Sequence, residues 1–369
     1  MNIGLRPLVE QRSARVILFC LILANCFAGL AQATPTYSIT VLPSLGSHTF
    51  ANAINNSGQA VGGAMTAAGK INSFIYSAGS FVDLGTFGGT FSILFDINDS
   101  GQAVGGLTSA NGSTSTFQAF LYSSGVFTSL GHTAPTGINS SGQIVGYTNP
   151  PLSGFLYNQG VFTNFGTFFV PTGINDSGQI VGGRAAGSCS AAALYQNGLL
   201  TPIGTLGGSC SNASGINAHG NVVGGSTLSN GTYHPFFYSN GTMLDLLANT
   251  AASNQEGGTT ALNKFDQAVG SYSYGLTNSQ LLYWDPMSGA KRLNLGEEWT
   301  NVSANDINDA GQIVGEGMWG GVYRAFILTP DSDGTITADP ITVPEASCLV
   351  LLAIGLPGLI AVKSRKAAS

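Results

Sequence analysis

Ile138-Asn139-Ser140-Ser141-Gly142-Gln143-Ile144-Val145-Gly146 decides the fold, because the same pattern occurs seven times along the chain. Written as I-N-x-x-G-Q-x-V-G, its copies begin at Ile54, Ile97, Ile138, Ile174, Ile216, Leu262 and Ile307, in steps of 43, 41, 36, 42, 46 and 45 residues. Three columns never vary. Asn stands at 55, 98, 139, 175, 217, 263 and 308; Val lies six residues on and Gly directly after it. Asn-x-x-Gly between two short β-runs is a tight turn. Asn bonds to its own backbone two residues on, and Gly takes positive φ without a steric penalty. The following Val points to one sheet face, as the two-residue strand period demands. A catalytic constellation does not recur in seven equivalent places, so these columns read as structural. Asp266, in place of the turn Gly in the sixth copy, and Asp99, Asp176 and Asp309 at the second turn position read as turn formers too.

Working outward, each anchor is followed by an aromatic strand, such as SFIYSAG from Ser73 or AFLYSSG from Ala119, and then by a strand ending in Leu-Gly, such as FVDLG or VFTSLG. Four short strands per roughly 42 residues, seven times over, predict an all-β fold, a seven-bladed β-propeller, with an open β-repeat solenoid as the alternative. The seventh copy lacks its Leu-Gly strand. Residues 37–46, Tyr37 to Gly46, supply one, so they are expected to complete the last blade of a domain spanning 34–329. With 52 Gly, long helices are disfavoured throughout this region.

The repeats together with the xxLGTxGG turns resemble the HAF repeat of bacterial extracellular proteins over roughly residues 45–328. That family's molecular role is largely undefined, so the resemblance implies an address more than a mechanism.

Both chain ends point to export. Arg6, Arg12 and Arg15 precede an apolar run from Val16 to Leu30, and Ala31-Gln32-Ala33 is a small-x-small cleavage site, so residues 1–33 read as a signal peptide cut after Ala33. Cys26 has Asn25 before it where a lipoprotein box carries a small residue, which disfavours lipidation. At the other end, Pro330 to residue 342 is acidic and turn-rich and reads as a linker. Residues 343–369 hold Pro344-Glu345, an apolar run from Leu349 to Val362, and then Lys363, Arg365 and Lys366. Basic residues past the run favour a cytoplasmic terminus for a transmembrane helix. This tail resembles the PEP-CTERM sorting signal, with Ala346 where the family has its second Pro. The resemblance implies recognition at Pro344 and Glu345 by an exosortase-type protease, after export machinery and signal peptidase have acted. It also implies a protein that is briefly membrane-anchored and then on the outer surface or extracellular.

Between those ends the chain carries six basic and sixteen acidic side chains, near −10, with no basic patch, which excludes a nucleic-acid partner. Cys189 and Cys210 are the two cysteines of the body, both in Ser-Cys-Ser, and in an oxidising compartment predict a disulfide. His48, His132, His219 and His234 fall at different repeat positions and form no zinc pattern. Asp331-Ser332-Asp333-Gly334 matches only part of a calcium loop, so calcium is weakly supported and no other cofactor is indicated. Gly204 to Gly208 lacks the Lys of a phosphate loop. Glu297, Glu298, Asp306 and Glu316 gather late in the chain without the spacing of a glycosidase pair. Trp284, Trp299 and Trp319 lie near them and form a possible ligand face, with blade-core filling as the plainer reading. The expectation is therefore a non-enzymatic surface or extracellular-matrix protein with a structural, adhesive or interaction role. The alternative is a carbohydrate-binding or hydrolytic protein acting on extracellular polysaccharide.

Overall fold

A computed structural model describes residues 36–109, 117–148, 152–186, 189–274, 278–331 and 336–341. The expected signal segment with Ala33, the sorting tail with Pro344 and Glu345, and Asp333 lie outside the described residues.

The third repeat serves as the pattern. Its strands are Thr133–Ile138, Ile144–Thr148, Ser153–Asn158 and Val161–Gly166, each antiparallel to the one before. Asn139 closes the first turn: its N–H bonds Gln143 O at 3.0 Å and its carbonyl takes Gly142 N–H at 2.9 Å. Gly142, with φ of 75°, occupies the left-handed position that Gly tolerates. The Val column is fully buried in all seven repeats, and the aromatic column buries Phe74, Phe120, Phe155, Phe236 and Phe326 against it or its neighbours. Each repeat's apolar side therefore packs against the next. Val61, for instance, sits in a cluster with Leu94 and Phe120 of the second repeat.

The invariant Gly of the second strand has a second cause. A Cβ on Gly146 would collide with the carbonyl of Ala134 in the first strand. There the register slips between Pro135 and Gly137. The same slip recurs in every first strand, between Ala51 and Ala53, Leu94 and Asp96, Pro171 and Gly173, Ala213 and Gly215, Thr259 and Ala261, and Ala304 and Asp306. A β-bulge of this kind bends the strand and re-aims the skipped side chain.

The expected uniform seven-bladed propeller is corrected by the sheet pairing. The hydrogen-bonded sheets are unequal: one of nine strands, one of eight and three of four, a tandem series of meanders and not seven equal sheets. Two local pairings cause the inequality. Ile71 of the first repeat pairs in parallel with Phe91 of the second, merging those repeats. Ile336–Pro340 pairs on one side with Gly289–Leu293 of the sixth repeat and on the other with Thr36–Val41, merging the last two. Residues 336–340 of the stretch expected as a linker are thus a strand inside a sheet. Thr36–Val41 in turn lies along Val322–Asp331, with Tyr37 opposite Pro330 and Val41 opposite Phe326.

No helix among the described residues is long and apolar enough to cross a membrane. Against the expectation of a transmembrane helix, none is found among the described residues, and residues 343–369, where it was expected, lie outside them. Cys189 and Cys210 are bonded, Cα to Cα 5.7 Å, joining the third strand of the fourth repeat to the first strand of the fifth. Closing such a loop stabilises by about 3 kcal/mol.

Candidate functional site

The repeated Asn column does more than close a turn. In each repeat Asn Oδ1 accepts the backbone N–H groups two and four residues on, as Asn139 does from Ser141 (3.1 Å) and Gln143 (2.9 Å). Its Nδ2 then donates to the carbonyl of the next repeat's Asn: 55 to 98, 98 to 139, 139 to 175, 175 to 217, 217 to 263 and 263 to 308, at 2.9–3.1 Å. Asn308 Nδ2 returns to Asn55 O at 3.0 Å, so the ladder has no free end. The Asp residues beside it also work between repeats. Asp99 accepts Asn56 N–H at 2.8 Å, Asp176 accepts Ser140 N–H at 2.8 Å, and Asp309 accepts Lys264 N–H at 3.0 Å. They are inter-repeat clamps, beyond the turn formers that sequence suggested. The residues of this ladder line a polar cavity of about 220 Å3.

Asp266 is part of a paired exchange. Where other repeats carry Gln four residues after the Asn, the fifth has the shorter Asn221. In the neighbouring sixth repeat Asp266 replaces the turn Gly, and its Oδ1 takes both Asn221 Nδ2 and Asn217 Nδ2 at 2.7 Å. One side chain is shorter and the one facing it longer, and the junction stays filled.

The bulges build a second cavity, of about 210 Å3, from the inner ends of all the first strands. The skipped residues Asn52, Phe95, Thr136, Thr172, Ser214, Thr260 and Asn305 line it. Five of them are fixed by bonds to the next repeat: Asn52 to Leu94 O (2.7 Å), Thr136 to Pro171 O (3.0 Å), Thr172 to Ala213 O (2.8 Å), Thr260 to Ala304 O (2.9 Å) and Asn305 to Ala51 O (2.8 Å). The next position is Ala or Gly in five repeats, and Asp in two, Asp96 and Asp306.

These two carboxylates are the chemistry of the cavity. Asp96 accepts Ile97 N–H and Ile138 N–H, both at 2.8 Å. Asp306 accepts Ile307 N–H at 2.8 Å and Ile54 N–H at 2.9 Å. Each oxygen has a second lone pair beyond the one that its N–H bond occupies. Burial pushes Asp96 up to about 6, although the two N–H bonds pull it down. Burial likewise pushes Asp306 up to about 7, and the charge of Asp96 adds to the rise. Sequence reasoning met Asp306 as a loose acid and missed Asp96. The signal was available in the aligned repeats, where the two acids occupy one column.

The other expected site residues lie elsewhere. Trp284 is buried and packs tilted against Phe237, centroids 4.7 Å apart. Trp299 is 7% exposed and Trp319 38%; they face each other across paired strands with centroids 6.0 Å apart. Trp299 and Trp319 are thus together, and Trp284 is apart from them. Glu297 and Glu298 are exposed, and Glu316 is half-buried, pushed up to about 7 by burial. The histidines stay dispersed: His48 lies near Tyr323, His132 at Phe117 O, His219 in the fifth turn, and His234 on Asp245 at 2.9 Å. Among the described residues no three His, Cys, Asp or Glu are grouped to hold a metal ion.

No family model matches the chain, and no curated protein matches it. Solved structures do resemble it. A puromycin-hydrolyzing peptidase of Mycobacterium tuberculosis matches at TM-score 0.50 and 9% identity over 84% of this chain; the chain spans 57% of the length of that protein. A gluconolactonase from Xanthomonas campestris matches at TM-score 0.39 and 9% identity, covering 82% of this chain and 96% of that one. A lectin from Aleuria aurantia matches at TM-score 0.39 and 10% identity, covering 84% and 98%. At such identity the likeness concerns the fold alone. The expectation of a non-enzymatic protein is corrected to this extent: the strand arrangement is one that a peptidase also has.

Proposed function

We propose that this chain is an exported protein that binds and hydrolyses extracellular carbohydrate at the bulge-lined cavity. The observation that carries the proposal is the presence of Asp96 and Asp306 in one cavity whose lining also includes the amides of Asn52 and Asn305 and the hydroxyls of Thr136, Thr172, Ser214 and Thr260. Hydrolysis of an acetal needs one carboxyl to give a proton to the leaving oxygen and another, ionised, to activate water. Two acids raised to about 6 and about 7 supply that combination near neutral pH. Asn52, Thr136, Thr172, Thr260 and Asn305 are held in fixed orientation by the neighbouring repeat, so their remaining lone pairs and protons suit a polyhydroxylated ligand. Phe95 offers the one aromatic surface there. At about 210 Å3 the cavity lies below the ~300–1,000 Å3 of drug-sized ligand sites, which suits a single sugar ring at a chain end.

Export through the signal segment, sorting through the PEP-CTERM-like tail by an exosortase-type protease, and an extracellular destination belong to the same proposal. The disulfide between Cys189 and Cys210 supports an oxidising compartment. The test is release of 4-nitrophenol from a panel of 4-nitrophenyl α- and β-glycosides of neutral hexoses. At least one should be cleaved, with a rate lowered about 100-fold or more in Asp96→Asn and in Asp306→Asn. No cleavage across the panel, or equal rates in the folded variants, would overturn the proposal.

A further inference from the structure

A groove of about 290 Å3 lies between the outer strand of the sixth repeat, Gly289–Leu293, and the first strand of the seventh, Trp299–Ile307. It is lined by the amides of Asn278, Gln280 and Asn294, the guanidinium of Arg292, the carboxylate of Glu297 and the indole of Trp299. No residue of it belongs to the bulge-lined cavity. We infer that this groove is a second saccharide site, one that holds a neutral pyranose without cleaving it.

Three features argue for that ligand. The indole is held in place: Trp299 stacks on Trp319 and meets the Phe326 ring edge-on at 5.5 Å, so its orientation is fixed before any ligand arrives. Trp299 is 7% exposed, so it offers a narrow apolar strip beside the polar groups, which suits the C–H side of a sugar whose hydroxyls meet the rim. The polar set contains both donors and acceptors, as vicinal hydroxyls require: Arg292 and the amides donate, while Glu297 and the amide oxygens accept. The charge is already balanced. Arg292 Nη2 lies 3.5 Å from Asp339 Oδ2 on Ile336–Pro340, so with Glu297 exposed nearby the groove has no surplus positive charge for an anionic sugar. An apolar peptide would leave these charged and amide groups unpaired, which is costly.

The groove also depends on the strand that merges the last sheets. Residues 336–340 bring Asp339 opposite Arg292, and Ser279 Oγ reaches across the junction to Val302 O at 2.8 Å. The inference shares the class of ligand with the proposed function but not the residues, so the two can fail separately.

The test is titration of the intact protein with methyl α- and β-pyranosides of glucose, galactose and mannose, followed by tryptophan fluorescence and calorimetry. The inference expects at least one to bind, at least tenfold more weakly in Arg292→Gln and in Glu297→Gln, and unchanged in Asp96→Asn/Asp306→Asn. Should Arg292→Gln unfold through loss of Asp339 pairing, Glu297→Gln, at an exposed position, decides alone. Binding by none of the six, binding that survives Glu297→Gln, or binding lost only with the Asp variants would overturn it.

Discussion

Replacing Asn139 by Ala should be among the most destabilising exchanges of a polar residue in this chain. Asn139 is 3% exposed and makes four side-chain bonds: to Gln143 Oε1 (2.8 Å) and Asn175 O (3.1 Å) as donor, and from Ser141 N–H (3.1 Å) and Gln143 N–H (2.9 Å) as acceptor. A net value of about 1 kcal/mol per bond gives roughly 4 kcal/mol, and the groups left unpaired in a buried turn hold the figure there. Against a total stability on the order of 5–15 kcal/mol this is a large fraction. In urea unfolding, with a slope on the order of 3 kcal/mol/M, the midpoint should fall by more than about 1 M. Asn139→Asp is the sharper variant. It keeps the acceptor and the shape, but sets an oxygen against Gln143 Oε1 and Asn175 O, so it should cost at least as much. Asn72→Ala, which removes only the exposed bonds to Asp83 at 3.0 Å, should shift the midpoint little. A loss below about 0.5 kcal/mol in both Asn139 variants would refute the reasoning that the ladder holds the repeats together.

Further outcomes follow from the same geometry. Cys189→Ser should lower stability by about 3 kcal/mol, and reduction of the parent protein should do the same, both read by urea unfolding. Asn221→Gln and Asp266→Gly should each destabilise alone yet restore the common junction together, giving a coupling of about 1 kcal/mol or more in a double-mutant cycle; additive effects would argue against the paired exchange. Asp96, Asp306 and Glu316 have folded values of about 6, 7 and 7, above their ordinary ones, so the folded state holds more protons than the unfolded between about pH 4 and 7. Their contribution to stability is therefore present at low pH and lost as pH rises through that window. The Asp96→Asn/Asp306→Asn/Glu316→Gln protein should show a flatter dependence in thermal or urea unfolding from pH 4 to 7.

The repeat, its turns and the buried Val and Phe columns were legible in sequence because they depend on neighbours within about ten residues. The disulfide was legible because only two cysteines remain in the body. What sequence could not display was contact between repeats. Asn139 reads as a turn residue, yet half of its bonds cross to the fourth repeat or brace the Gln that packs there. Thr136 and Asn305 look like ordinary polar strand residues, and only the bulge turns them inward. Asp96 and Asp306 stand in the second and seventh repeats and line one cavity, where Asp306 reaches Ile54 N–H of the first repeat as Asn308 reaches Asn55. The merging of sheets was hidden for a similar reason: Ile336–Pro340 has the composition of a linker, and its pairing is supplied by strands far away in sequence.

The central claim is that the bulged inner wall, with its two acids, is where a ligand is held. Crystals of Asp306→Asn soaked with whichever glycoside the protein cleaves test it directly. The account predicts a sugar ring inside the cavity with oxygens within about 3.2 Å of Asp96 and of residue 306. An empty cavity, with the sugar bound only elsewhere on the protein, would contradict it.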